Sequence, residues 1–285
     1  MKLGYSTWGM PTVPAEVFIP FLAQTGYAGV EITVIPGYAT ELSRLDRDQR
    51  RSIAAALRAH HLELPALAAQ TSMVERDAAV AAEHWQRLTA AVDLAVEWAV
   101  DGVPPVIDTT VGGTPAEYAA LEGLLFERMG ALVAYAAARG VVIAAEPHVG
   151  SMLDTPERVL TLLRTIDSPW LKLNFDISHF NVMGFTIAET VPLLAPFSAH
   201  THVKDERGTV PDYEFLIPGE GVFDYVAYLR AMQAAGYTGF ITPEVSVMVQ
   251  RRPGYDPLAA AAQSYATLAG AFAGAGIAAE PSARR

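Results

Sequence analysis

Eight β-rich runs that alternate with eight Ala/Leu-rich helical stretches predict an α/β chain folded as a single (β/α)8 barrel. Two further observations favour a closed sheet. The chain has 285 residues, of which 51% are hydrophobic, enough for one large core, and no Pro/Ser-rich linker or charge block divides it. After the first strand the sequence reads STWGMP, without the glycine fingerprint of an open, doubly wound sheet.

The elements follow in order. Strands are expected at 2–7, 28–33, 62–68, 103–109, 141–147, 171–177, 198–204 and 239–245. Helices are expected at about 14–26, 46–60, 77–100, 115–139, 155–166, 186–195, 222–236 and 257–274. Asp46, Thr114 with Pro115 and Glu117, and Thr155 with Pro156 read as helix starts. Gly26, Gly140 and Gly236 stand at helix ends. The barrel is expected to span 1–275, and the small, polar 276–285 to form a flexible tail. The longest connection, 205–221, follows the seventh barrel strand and is expected to overhang the mouth as a lid or specificity loop.

Composition excludes several classes. With no cysteine there is neither a disulfide scaffold nor a thiolate site, which fits a reducing, cytoplasmic setting. A net charge of −11 without a basic stripe argues against a nucleic-acid partner. No apolar run is long enough for a membrane span, and MKLGYSTWG lacks the pattern of a signal peptide.

Chemistry concentrates at four consecutive strand ends. Glu146, Asp176, His202 and Glu244 lie 30, 26 and 42 residues apart, each three residues beyond the mid-strand positions Ile143, Leu173, Ala199 and Ile241. That register places them at the C-terminal mouth of a barrel. An oxygen-rich set with one imidazole suits a single divalent ion, Mn²⁺ foremost, with Mg²⁺, Co²⁺ or Zn²⁺ as alternatives. His200 shares the strand face of His202 and is the rival ligand, but His202 lies nearer the strand end. His148 and His179 are expected to touch substrate, and Lys204 either to bind a substrate oxygen or to neutralise carboxylates. Arg207 is the candidate for an anionic or hydroxyl-rich substrate. Trp8, with Tyr5 and Phe185, is expected to wall the pocket, and Glu31 to support a neighbouring ligand or loop.

The runs KLGYSTWG, GYAGVEIT, AAEPHVGS, NFDISHF, HVKD, PGEGVFD and GFITPEV, in this order, resemble the xylose isomerase-like TIM barrel superfamily. The likeness is to its sugar phosphate isomerase/epimerase group in particular and covers about residues 2–274. It implies a barrel with one divalent metal held by Glu146, Asp176, His202 and Glu244. It also implies an isomerase or epimerase of a keto-sugar or inosose that works through an enediolate. A keto-inositol dehydratase or other lyase on the same metal site is the alternative, and a non-catalytic sugar-binding barrel is the third reading. In ketose epimerases of this group the two glutamates move the proton, and Glu146 and Glu244 match them. Those enzymes carry an arginine shortly after the metal-binding histidine, and Arg207 matches only loosely in spacing. The resemblance further implies a small-molecule polyol partner and a homo-oligomer. Endonuclease IV, a distant relative, needs extra histidines where this chain has Ala69-Gln70-Thr71 and Asp108-Thr109-Thr110.

Overall fold

The computed structural model describes residues 1–282. Eight parallel strands close a barrel. They are β1 (Lys2–Ser6), β2 (Gly29–Thr33), β3 (Ala66–Ala68), β4 (Val106–Thr110), β5 (Ile143–Glu146), β6 (Leu171–Asp176), β7 (Ser198–Val203) and, after an inserted ribbon of β8 (Asp205–Thr209) and β9 (Asp212–Leu216), β10 (Phe240–Pro243). Neighbours pair in chain order, and β10 closes on β1 through Lys2 opposite Phe240 and Leu3 opposite Ile241. Each strand is short and nearly all buried, because the barrel interior covers one face and the helices cover the other.

The outer ring is α1 (Ala15–Thr25), α2 (Arg47–Ala59), α3 (Ala78–Glu97), α4 (Tyr118–Ala137), α5 (Pro156–Ile166), the short α6 (Ile177–Asn181), α7 (Ile187–Leu194), α8 (Tyr225–Ala234), the short α9 (Val247–Gln250) and α10 (Pro257–Ala275). Asp46 caps α2 in a reciprocal box with Gln49, and Thr155 caps α5. After Thr114 the chain makes one 3-10 turn, Pro115–Glu117, before α4 begins. Gly26 ends α1 at φ 112°, where its N–H reaches Leu22 and Ala23 carbonyls and a Cβ would run into Tyr265.

Two features of the chain's later part add detail to what the sequence offered. The 205–221 connection is half regular: β8 and β9 form an antiparallel hairpin whose turn is fixed by the Val210 N–H donating to Val182 O at 2.8 Å. Asp205 anchors its base by accepting the N–H groups of Glu206, Gly219 and Phe223 at 2.8–3.0 Å. The tail expected to be flexible begins docked: Ile277 is buried, and the Glu280 N–H donates to Met1 O at 3.0 Å. The rest of that expectation, 283–285, lies outside the described residues. No helix of the described residues is long and apolar enough to cross a membrane.

Leu67 in β3 is wholly buried inside this core. Leu67→Ala should cost about 2–5 kcal/mol, seen as a lower urea midpoint at unchanged slope.

Candidate functional site

Strand pairing explains how distant residues meet. Asp176 and His202 are register partners on β6 and β7, and His202 stands opposite Thr242 of β10, so Glu244 lies two residues further along. Ala145 pairs with Leu173, and extending that register puts Glu146 beside Asn174. The four groups therefore climb the barrel in steps, where an equal offset from four level markers was expected. The stagger is the shear that closes a barrel of tilted strands. Asp176 is also the N-cap of α6, its Oδ1 accepting the Ser178 N–H at 2.9 Å, which fixes its carboxylate.

Glu146, Asp176, His202 and Glu244 each offer one ligand atom, and these atoms lie within 4.8 Å of one another. His202 is the hub. Its Nδ1 is 2.9 Å from Glu146 Oε1 and 3.6 Å from Glu244 Oε1, and its Nε2 is 3.0 Å from Glu31. Lys204 reaches in from the end of β7, contacting Asp176 Oδ2 and lying 2.5 Å from Glu244 Oε2. Its ammonium occupies the position of a cation among the carboxylates. Three carboxylates and an imidazole that converge on a point, with a stand-in cation already against them, fit a single divalent ion.

Electrostatics follow from this burial. Burial opposes ionisation of Asp176, yet Lys204, His179 and His202 hold it below the usual carboxylate range. Glu31 behaves likewise, burial being overcome by His202 and His200. Burial opposes the charge on His202, but Glu31, Glu244 and Glu146 hold its pKa well above the ordinary value. The same contest, won by Asp176 and Glu244, raises Lys204. Burial raises Glu244.

The other expected residues divide. Trp8, His148, His179 and Lys204 line the same cavity as Glu146 and Glu244, about 130 Å³ in volume. The His148 and His179 rings lie 3.6 Å apart, and burial followed by His148 pushes His179 well below the ordinary histidine range. Trp8 packs on Tyr38 at 5.5 Å. Arg207 departs from expectation: it is exposed, pairs with Glu214 across the hairpin at 3.2 Å, and lines a different depression. Antiparallel pairing places residues 207 and 214 side by side and turns the guanidinium away from the mouth. Tyr5 is fully buried and packs on Tyr27, and Phe185 lines the same outer depression as Arg207, so neither walls the mouth. His200 is buried with Nε2 3.1 Å from Glu31 Oε2. Glu31 itself also accepts from Ser6 Oγ at 2.5 Å.

Sequence reasoning missed Gln70, Asp108, Tyr213 and Phe215. Gln70 Nε2 donates to Glu146 Oε2 at 2.7 Å and stands 3.2 Å from Asp108 Oδ2. Burial, then Glu146 and Glu31, raises the Asp108 pKa well above normal. An aspartate inside an apolar strand was the available signal. Tyr213 and Phe215 reach the mouth from β9, within the 205–221 connection expected to overhang it, although the sequence singled out neither residue.

A family model described as Xylose isomerase-like TIM barrel matches residues 19–268. The chain belongs to this family. Among curated relatives within reach of it, the fructoselysine 3-epimerase of Shigella flexneri is 24% identical over 263 residues, covering 89% of this chain and 93% of that protein. The inosose dehydratase of Geobacillus thermodenitrificans is 26% identical over 136 residues, 42% of this chain and 46% of its own length. The first curated relatives are matched over less than half of their own length. Among solved structures, the IOLI protein with a bound zinc atom shares the fold at TM-score 0.78 and 19% identity, covering 96% of this chain and 99% of that one.

Two predictions follow from these charges. Lys204→Met leaves Asp176 and Glu244 without their cation, and breaking a buried pair costs about 3–5 kcal/mol. The metal-free variant should melt below the parent and gain more Tm on adding Mg²⁺; equal gains would show that Lys204 does not balance these carboxylates. The second concerns Glu206 on β8, whose carboxyl is pushed up to about 8 by burial, against a hydrogen bond from Asn181, with Asp176 and Asp205 adding to the rise and Lys204 opposing it. From the ordinary 4.5 up to about 8 the folded protein keeps a proton that the unfolded chain releases. This group's contribution to stability therefore falls as pH rises through that window. Glu206→Gln removes the loss, so its Tm relative to the parent should climb between those two values; a constant difference would mean the carboxyl titrates normally.

Proposed function

We propose that the chain is a metal-dependent isomerase or epimerase of a keto-sugar or inosose. The observation that carries this reading is the placement of Glu146 and Glu244 around His202 and Asp176. In the barrel order β10-β7-β6-β5, the two glutamates flank the strands that bear the other two groups, so they face each other across the site. The small cavity at the mouth suits a compact metabolite. The fructoselysine 3-epimerase relative, matched along most of its length, supports the epimerase side.

Glu146, Asp176, His202 and Glu244 would hold the ion. When bound, a divalent ion supplies Lewis-acid stabilisation to the oxygens of an enediolate. The proton work falls to the protein. One glutamate takes the proton from the carbon beside the carbonyl, and the other returns one to the opposite face, which inverts that centre. Return to the neighbouring carbon isomerises the substrate. Gln70 holds Glu146 by its 2.7 Å hydrogen bond and so aims the carboxylate. His148 and His179 offer ring nitrogens to substrate hydroxyls from the cavity wall, and Trp8 and Phe215 exclude water from the face of the sugar.

The second reading is a lyase that expels a β-hydroxyl from the same enediolate, favoured by the inosose dehydratase relative. Incubating Mg²⁺-loaded protein with keto-sugars and inososes in D₂O, followed by proton NMR, tests both. Metal-dependent loss of an α-proton signal with an inverted or isomerised product supports the main reading. An unsaturated, ultraviolet-absorbing product supports the lyase. Glu146→Gln or Glu244→Gln should lower turnover by about a thousandfold or more, in the range reported for loss of an essential acid–base group. A fully active Glu244→Gln protein would sink the scheme.

A further inference from the structure

A second cavity, about 350 Å³ in volume, opens beside the hairpin, lined by β8 on one side and by the α6–α7 connection and residues 222–224 on the others. It shares no lining residue with the barrel mouth. Its polar groups are mismatched. Glu206 is 6% exposed, and its Oε1 accepts from Asn181 Nδ2 at 3.0 Å. Glu206 Oε2 and Asn181 Oδ1 are both buried and have no partner. Above about pH 8, once the Glu206 carboxyl releases the proton that burial keeps on it, both oxygens are acceptors without a donor, which is destabilising unless one arrives. The lining does not supply one: Arg207 is turned outward to Glu214 at 3.2 Å. Asp224 is spent on capping α8 through the Ala227 N–H at 2.9 Å and adds a further carboxylate. Phe185 and Phe223 provide aromatic walls, surfaces that favour organic cations.

Two protein oxygens would leave most of the six or more ligand positions of a hard divalent ion to water. A primary ammonium carries three donors and a charge to match a carboxylate. We propose that this cavity binds a small organic ammonium, with Glu206 Oε2 and Asn181 Oδ1 accepting its N–H groups and Phe185 and Phe223 covering its hydrocarbon part. The cavity stands apart from the reaction centre and does not depend on which reaction the barrel mouth performs.

The test titrates n-butylammonium, with n-butanol as its neutral isostere, into the metal-loaded full chain by calorimetry at about pH 8.5, where a carboxyl raised by burial is ionised. The expected result is saturable binding of one ammonium per chain, with butanol at least about tenfold weaker. Glu206→Gln, which keeps side-chain size, should weaken ammonium binding by a similar factor, and so should Asn181→Ala, the second variant should the first not fold. Glu244→Gln should leave it unchanged. The proposal is overturned by no saturable binding, by equal affinity for butanol, by unchanged affinity in both cavity variants, or by loss of binding in Glu244→Gln, which would place the amine in the barrel mouth.

Discussion

Five carboxylates, Glu31, Asp108, Glu146, Asp176 and Glu244, are packed into the barrel with none more than 4% exposed, and the rest of the site is organised around that charge. Two like charges 4 Å apart repel by about 4 kcal/mol at the dielectric typical of such settings. The barrel answers in three ways. His202 and Lys204 put two cations among the acids. Asp108 is driven toward its protonated form by burial and by its neighbours. Gln70 places an amide between Asp108 and Glu146, so that two acids share a donor. Each device touches a group that touches the others. A change at one is therefore felt across the cluster, and single substitutions there will not add.

Only a closed, sheared sheet brings these groups together. Asp176 and His202 meet because they are register partners, whereas Glu146 and Glu244 arrive by being displaced along their strands. The bulge between Leu173 and Asn174 shifts β6 relative to β7 and brings Asn174 opposite His200 and close beside His202. The carboxylates owe their placement to backbone pairing, and the convergence of the four candidate ligands is thus a property of the fold as much as of four residues.

The barrel was legible in the sequence because its signal is repeated: eight apolar strands, each followed by a helix, leave little freedom in topology. The four convergent side chains were legible for a related reason, since a carboxylate at the end of an apolar strand conflicts with its surroundings unless something resolves the conflict. Gln70 carries no such conflict in sequence, because an amide near a strand end is unremarkable until Glu146 is seen 2.7 Å away. The hairpin hid for a different reason. Its β8 strand reads DERGT, with three exposed residues and no alternation of apolar side chains, and its pairing depends on Asp205 and on the contact with Val182. Arg207 misled because spacing along the chain does not specify which face of an unexpected strand a residue occupies.

The order of the two chemical readings comes down to where a proton can reside. Elimination of a β-hydroxyl calls for an acid placed to protonate the departing oxygen. His179, at the cavity wall, is held neutral by burial and by His148 beside it, so near neutral pH it offers a hydrogen bond and not a proton. Lys204 is already spent between Asp176 and Glu244, which stabilise its charged form and make it a poor donor. The facing glutamates remain, and burial raises Glu244, which favours its taking up a proton. In the proposed scheme, two carboxylates on opposite sides of one carbon would suit exchange between its faces better than expulsion of a neighbour, and on that ground epimerisation or isomerisation is proposed ahead of dehydration.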